Sequence, residues 1–333
     1  MHSSADPISD QQRRIFTVIL DNIVWFILVI VLIFFSLFID NFFQTQIFLN
    51  ILGQSAFLGI LSAGLAIVII SGHLDLSVES NLAFSAILAS YLVGTGGVGL
   101  GLAMHPLVAL AICLIVGGLF GAFNGLLVTK LGLTAFIVTL ATFIGIRGLG
   151  LILVGGRSIY GLPDTMRAVA STKILGMPLL AVIMTLTVIT MHFILTRTRF
   201  GRYVYLIGGN PIASFRNGVQ VNRIVLLSFV LAGVLAAFAG WLLAARLNGA
   251  SANIGVGILF DAFAAVVIGG VSLTGGIGRL SGVFAGVLLL TSIDTAINVM
   301  GLPPQYLSVI RAALVLFAVI LDTFKVRIYK RFL

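Results

Sequence analysis

Charge is scarce in this chain: only 9% of its 333 residues are Asp, Glu, Lys or Arg, where a soluble domain carries about a quarter. A surface so poor in charge is not wrapped in water, which excludes a soluble globular domain. Cysteine is nearly absent as well. Cys113 is the only one and stands in an apolar run, so a disulfide framework or a thiolate metal site within one chain is excluded. No GxxxxGK[ST] phosphate loop occurs, so nucleotide is not bound by that route. HExxH and paired-cysteine spacings are missing, and no Ser–His–Asp set stands out. An enzyme reading has little to stand on.

What is abundant is apolar length. Hydrophobic residues make up 60% of the chain, and the mean hydropathy is +1.21. Crossing a bilayer takes about 20 apolar residues per helix, because the backbone must satisfy its own hydrogen bonds in hydrocarbon. Such stretches recur from Ile23 to Leu321. They predict an all-α, polytopic inner-membrane bundle of about ten helices, near 22–39, 47–71, 79–95, 106–129, 132–154, 178–196, 223–245, 259–272, 281–300 and 306–323. Residues 1–22 then form a cytoplasmic tail, 23–323 a single transmembrane domain, and 324–333 a basic cytoplasmic tail. No small-residue cleavage site follows the N-terminal segment, which reads as a retained tail.

The net charge of +9 reports orientation rather than nucleic-acid binding. Of the 19 Lys and Arg, 13 fall on connections assigned to the cytoplasm and 4 on outer ones (Arg157, Arg167, Lys173 and Arg246). That asymmetry places both termini inside. An eight-helix arrangement is the rival if 47–95 is partly re-entrant. The longest outer connection, 156–177, has room for a short surface helix. The 197–223 connection holds five Arg and no acid. It suits an ordered cytoplasmic element docked on another protein, or else a cluster that merely sets topology.

Glycine recurs every four residues at Gly117, Gly121 and Gly125, and again at Gly278, Gly282 and Gly286. That spacing strips one helix face and lets a neighbouring backbone approach. A weak internal echo links AIVIISG at 66–72 with AAVVIGG at 264–270.

The strongest local motif is SGHLDLSVES at 71–80, which sets His73, Asp75, Ser77 and Glu79 between two apolar runs. Two readings stand. Asp75 or Ser77 caps the third helix, or the segment is a helix break lining a pathway, since irregular backbone at membrane depth survives only inside protein or beside a water-filled cavity. Further ionisable residues fall within or beside spans: Arg147, Asp261, Asp294 and Arg311. Their cost in hydrocarbon turns them toward the bundle interior, a partner or water. Structural roles suit Arg147 and Asp261, and Asp294 is a candidate partner for Arg311.

Four blocks in order carry a family resemblance: SGHLDLSVES at 71–80, FNGLLVTKLGLTAFIVTLATFIGIRG at 123–148, TRFGRYVYLIGGNPIASFRNGV at 198–219 and DAFAAVVIGGVSLTGGIGRLSGVFAG at 261–286. The chain resembles the permeases of ribose-, xylose- and arabinose-type bacterial ABC importers. It departs from them at His73 and Glu79, usually Gly, and at Thr134, usually Pro.

The resemblance implies a permease that binds no cofactor itself. ATP and Mg would sit on a cytoplasmic double-cassette ATPase. A periplasmic substrate-binding protein would deliver a sugar or sugar-like solute, and a second permease subunit, the same or paralogous, would complete the pathway. Gly208, Gly209, Asn210, Ala213 and Gly218 would lie in the coupling helix, with Arg216 beside them. Asn210-Pro211 is a good helix start and Gly218 a good stop. A proton- or sodium-coupled transporter using Asp75, Glu79 and Asp294, and a scaffold subunit without a pathway, are the alternatives.

Overall fold

The computed structural model describes residues 10–96, 99–100 and 104–303, together with isolated positions up to 320. Its helices are α1 (Asp10–Phe38), α2 (Thr45–Ile70), α3 (Val78–Val93), α4 (Pro106–Lys130), α5 (Ala135–Val154), α6 (Asp164–Ser171), α7 (Leu179–Arg197), α8 (Arg199–Gly209), α9 (Pro211–Arg216), α10 (Val221–Leu247), α11 (Ile258–Ile268) and α12 (Leu280–Val299). Four two-residue strands, β1 (Ile159–Tyr160), β2 (Lys173–Ile174), β3 (Met177–Pro178) and β4 (Gly249–Ala250), complete the described elements.

Among the described residues, six helices (α2, α4, α5, α7, α10 and α12) are long and apolar enough to cross a membrane. Three shorter apolar stretches, Asn22–Phe38, α3 and α11, accompany them. The chain is a polytopic helical membrane protein. The tenth expected span, 306–323, lies largely outside the described residues, and Arg311 lies there too. α1 is longer than the sequence predicted, because helical backbone continues from Asp10.

α2 is the central pillar, buried along nearly its whole length between α7, α10, α11 and α12. Such all-round burial needs apolar and small residues on every face, which its sequence supplies. α10 runs beside α4, and glycine sets how closely. Side chains every four residues on α4 (Ala109, Cys113, Gly117, Gly121 and Gly125) face inward. A Cβ on Gly121 would collide with Phe229 O, and one on Gly117 with Gly233 O. The lone cysteine belongs to this packing stripe, its thiol 3.4 Å from Ser85 O. The opposite face of α4 exposes Ile115, Leu119 and Phe123, an apolar stripe suited to lipid. The second glycine series is shorter than expected: Gly282 and Gly286 pack against Gly269 and Ala265, but Gly278 precedes the first residue of α12.

The connections sort to two ends. At one end β1 pairs with β4, Gly96 bridges Tyr160, and Asn248 Oδ1 accepts from Leu162 N at 2.9 Å. This end carries the 156–177 connection and its short helix α6, as the sequence suggested. At the other end lie the residues after α2, the end of α4, α8, α9 and the 269–279 turn.

Candidate functional site

The 71–80 motif is a true interruption. α2 ends at Ile70, where Gly72 takes a φ of +84° that an L side chain resists. Ser71 N, Gly72 N and His73 N bond back to Ile67 O, Ile69 O and Val68 O. α11 ends in the same way: Gly269 N, Gly270 N and Val271 N bond to Ala265 O, Val267 O and Val266 O, with Gly270 at φ +86°. The echo between 66–72 and 264–270 is therefore one helix-stop geometry used twice.

Two helices beside these interruptions, α3 and α11, are shorter than α2. At 1.5 Å per residue, α3 is roughly 24 Å long and α11 roughly 16 Å, while α2 is roughly 39 Å. α3 ends where Thr95 N and Gly96 N donate to Gly161 O and Tyr160 O, at the end of β1. α11 ends beside α2's stop, where Gly276 N donates to Ile70 O at 2.8 Å. The two starts consequently meet partway through the bundle, and together α3 and α11 cover the length of α2.

Glu79 stands at that meeting point. It lies in the first turn of α3, 3% exposed. One carboxylate oxygen accepts from Arg147 Nη2 at 3.0 Å; the other accepts from Gly257 N and Leu259 N, both at 3.1 Å. Arg147 Nη1 donates to Ile254 O at 2.8 Å. One carboxylate thus sits between the positive ends of two helix dipoles and ties α3, α5 and the start of α11 together. The sequence had offered Glu79 as a pathway residue and Arg147 as structural, without pairing them across 68 positions.

Asp75 and Ser77 form a separate cluster nearer the α2 stop. Ser77 N and Oγ donate to Asp75 Oδ1 at 2.9 and 2.6 Å, and Asn124 Nδ2 donates to Ser77 Oγ at 2.8 Å. Ser77 holds the cap position of α3, yet its hydroxyl turns to Asp75 and makes no cap bond. This corrects the capping expectation: Asp75 takes the N–H of Ser77 itself, holding the break instead of closing the helix end. Thr134, another departure from the family pattern, precedes α5 without a side-chain cap bond.

The 197–223 connection is ordered, as two helices. Asn210 Oδ1 accepts from Ala213 N at 2.9 Å, Pro211 is the first residue of α9, and Gly218 follows at φ +78°. α9 presents Ile212, Phe215 and Arg216 outward, while Ser214 is buried beneath them. α8 seats this knob on the bundle at a glycine node. A Cβ on Gly208 would overlap Ile70 O and Gly276 N, and one on Gly276 would come within 2.7 Å of Gly209 N.

Tyr205, which the sequence did not single out, adds a tie by donating to Gly278 O at 2.9 Å. Burial pushes its hydroxyl above the ordinary value, against the pull of Arg279, so it stays a donor. Its only sequence signal was its place inside the 198–219 block. Asp261 lies in the first turn of α11 and Asp294 near the end of α12.

No solved structure matches the chain. Residues 47–319 match the family described as branched-chain amino acid transport system / permease component. The ribose import permease protein RbsC of Bacillus subtilis (strain 168) is 36% identical over 299 residues, covering 89% of this chain and 90% of that protein. The autoinducer 2 import system permease protein LsrC of Klebsiella pneumoniae subsp. pneumoniae is 35% identical over 281 residues, 84% and 80% of the two chains. The D-allose transport system permease protein AlsC of Escherichia coli (strain K12) is 33% identical over 295 residues, 88% of each. A permease component is a transport subunit rather than a catalytic enzyme. With most of its length matched, this chain belongs to that permease family, among the ribose-type ABC sugar importer permeases that its motifs resemble.

Proposed function

We propose that this chain is the membrane-spanning permease of an ATP-driven importer that carries a monosaccharide or sugar-like solute from periplasm to cytoplasm across the bacterial inner membrane. The observation that carries the reading is α9. A capped helix with two bare apolar side chains and an arginine projects from the end of the bundle, seated through Gly208 on the stop of α2. Exposed apolar side chains beside a cation fit a partner's groove with an acidic rim. That partner is a cytoplasmic ATPase with two cassettes, which holds ATP and Mg. Its closure pushes α8 and α9 against the α2 stop, and so against the break that leads to Glu79. A periplasmic binding protein supplies the solute at the opposite end, and a second permease subunit completes the pathway. In this arrangement ten helices cross the membrane and both termini are cytoplasmic.

Purifying the tagged chain from its native membrane in mild detergent, and identifying its companions by mass spectrometry, tests the reading. A co-purifying double-cassette ATPase supports it. Recovery of the chain alone, under conditions that keep other transporter complexes whole, overturns it.

A further inference from the structure

A cavity of about 460 Å³ lies at the coupling end, within the range of small-molecule sites. Its walls come from five places: the α2 stop, the end of α4, the α8–α9 joint, the start of α10 and the 269–279 turn. It is separate from the Glu79 and Asp75 clusters, since neither residue lines it.

The chemistry of its lining is selective. None of the lining residues is Asp, Glu, Lys or Arg. A charged guest would find no oppositely charged side chain there to offset its desolvation, which is costly. Polar side chains line it nonetheless: Ser71 and Thr129 already donate to Val68 O and Gly125 O and Thr274 pairs with Ser272, which leaves His73 and Asn222 as the groups that can meet a guest.

His73 sets the polarity. Its Nδ1 lies 3.0 Å from Ser71 O, which can only accept, so Nδ1 carries the proton of the neutral imidazole. Nε2 then keeps its lone pair as a hydrogen-bond acceptor. The ring is held edge-on to Phe229, with centroids 6.1 Å apart. Asn222, at the start of α10, offers both a donor and an acceptor.

We propose that this cavity is a binding site for a neutral polyhydroxylated molecule of monosaccharide size, held by His73 Nε2 and the amide of Asn222. Because Gly208 and Pro211 form one wall and the α2 stop another, the guest favours the spacing of this arrangement. It therefore opposes movement of α9 toward or away from the break. An intracellular sugar bound there restrains the coupling element from the inside. The site is independent of which solute crosses the membrane.

The test uses the full chain in lipid nanodiscs, without partners, so it does not depend on the ATPase reading. Amide hydrogen exchange is followed at 71–73 and 207–211 with D-ribose, D-allose, L-glutamate or L-lysine. At about ten times the dissociation constant, a guest that binds only the closed form slows exchange about 11-fold. D-ribose or D-allose should give this protection, and the two charged probes should not. His73→Leu and Asn222→Leu, made separately in case one disturbs folding, should each abolish it. The proposal is overturned if neither sugar protects, if the charged probes protect equally, or if both variants keep the wild-type response.

Discussion

Replacing Glu79 with Leu removes a carboxylate that accepts three hydrogen bonds inside the bundle. Breaking a buried ion pair from one side costs about 3–5 kcal/mol, mostly through the charge left behind. Two N–H groups at the start of α11 are stranded as well, each costing about 1–3 kcal/mol if nothing replaces the acceptor. Two features soften the loss: Arg147 keeps its bond to Ile254 O, and its side chain is 16% exposed. A net destabilisation of about 3 kcal/mol is expected. Arg147→Met should cost a similar amount, since it leaves the carboxylate unpaired. The double variant Glu79→Leu/Arg147→Met removes both charges and should fall short of the summed single losses by about 1–3 kcal/mol. The assay is the apparent thermal midpoint of each purified variant in nanodiscs, arranged as a double-mutant cycle. Additive losses, or a Glu79→Leu protein within about 0.5 kcal/mol of wild type, would refute the claim that this pair holds the two short helices together.

Four other perturbations separate packing from coupling. Gly208→Ala places a methyl against Ile70 O and Gly276 N; it should abolish ATP-driven uptake, and normal uptake in proteoliposomes would show that the node is not needed. Asn210→Ala should weaken α9 by about 1 kcal/mol while Asn210→Asp keeps the cap, read as faster proteolysis at 211–216 in the first variant only. Gly121→Leu should prevent assembly by colliding with Phe229 O, whereas Gly145→Leu, with open space at its Cβ, should leave yield and monodispersity unchanged. Arg216→Glu should uncouple uptake from ATP hydrolysis without lowering the thermal midpoint, and wild-type coupling would remove α9 from the docking surface.

Local chemistry was legible in the sequence where one segment decided it. Asn210-Pro211 and Gly218 bracket α9 because a cap, a fixed proline φ and a left-handed glycine are all local properties. The α4 glycines announced a close approach, but not that α10 is the neighbour, because one face says nothing of what covers it. The ion pair between Glu79 and Arg147 was hidden for the same reason: it depends on α3 and α11 both being short and meeting start to start. Apolar runs predicted 259–272 as one span. The backbone stops at Ile268 because Gly269 and Gly270 close the helix, and hydropathy does not register a stop made of apolar-compatible residues. The 66–72 echo carried that information in seven positions, too few to stand out from chance in so apolar a chain.

Energy source is the most direct test of the permease reading. The chain should be reconstituted with its co-purified partners in proteoliposomes and challenged with radiolabelled sugar. Uptake that requires ATP, stops with vanadate and ignores imposed proton or sodium gradients is the predicted result. Uptake that follows an ion gradient without ATP would contradict it and turn attention to Asp75, Glu79 and Asp294 as ion carriers.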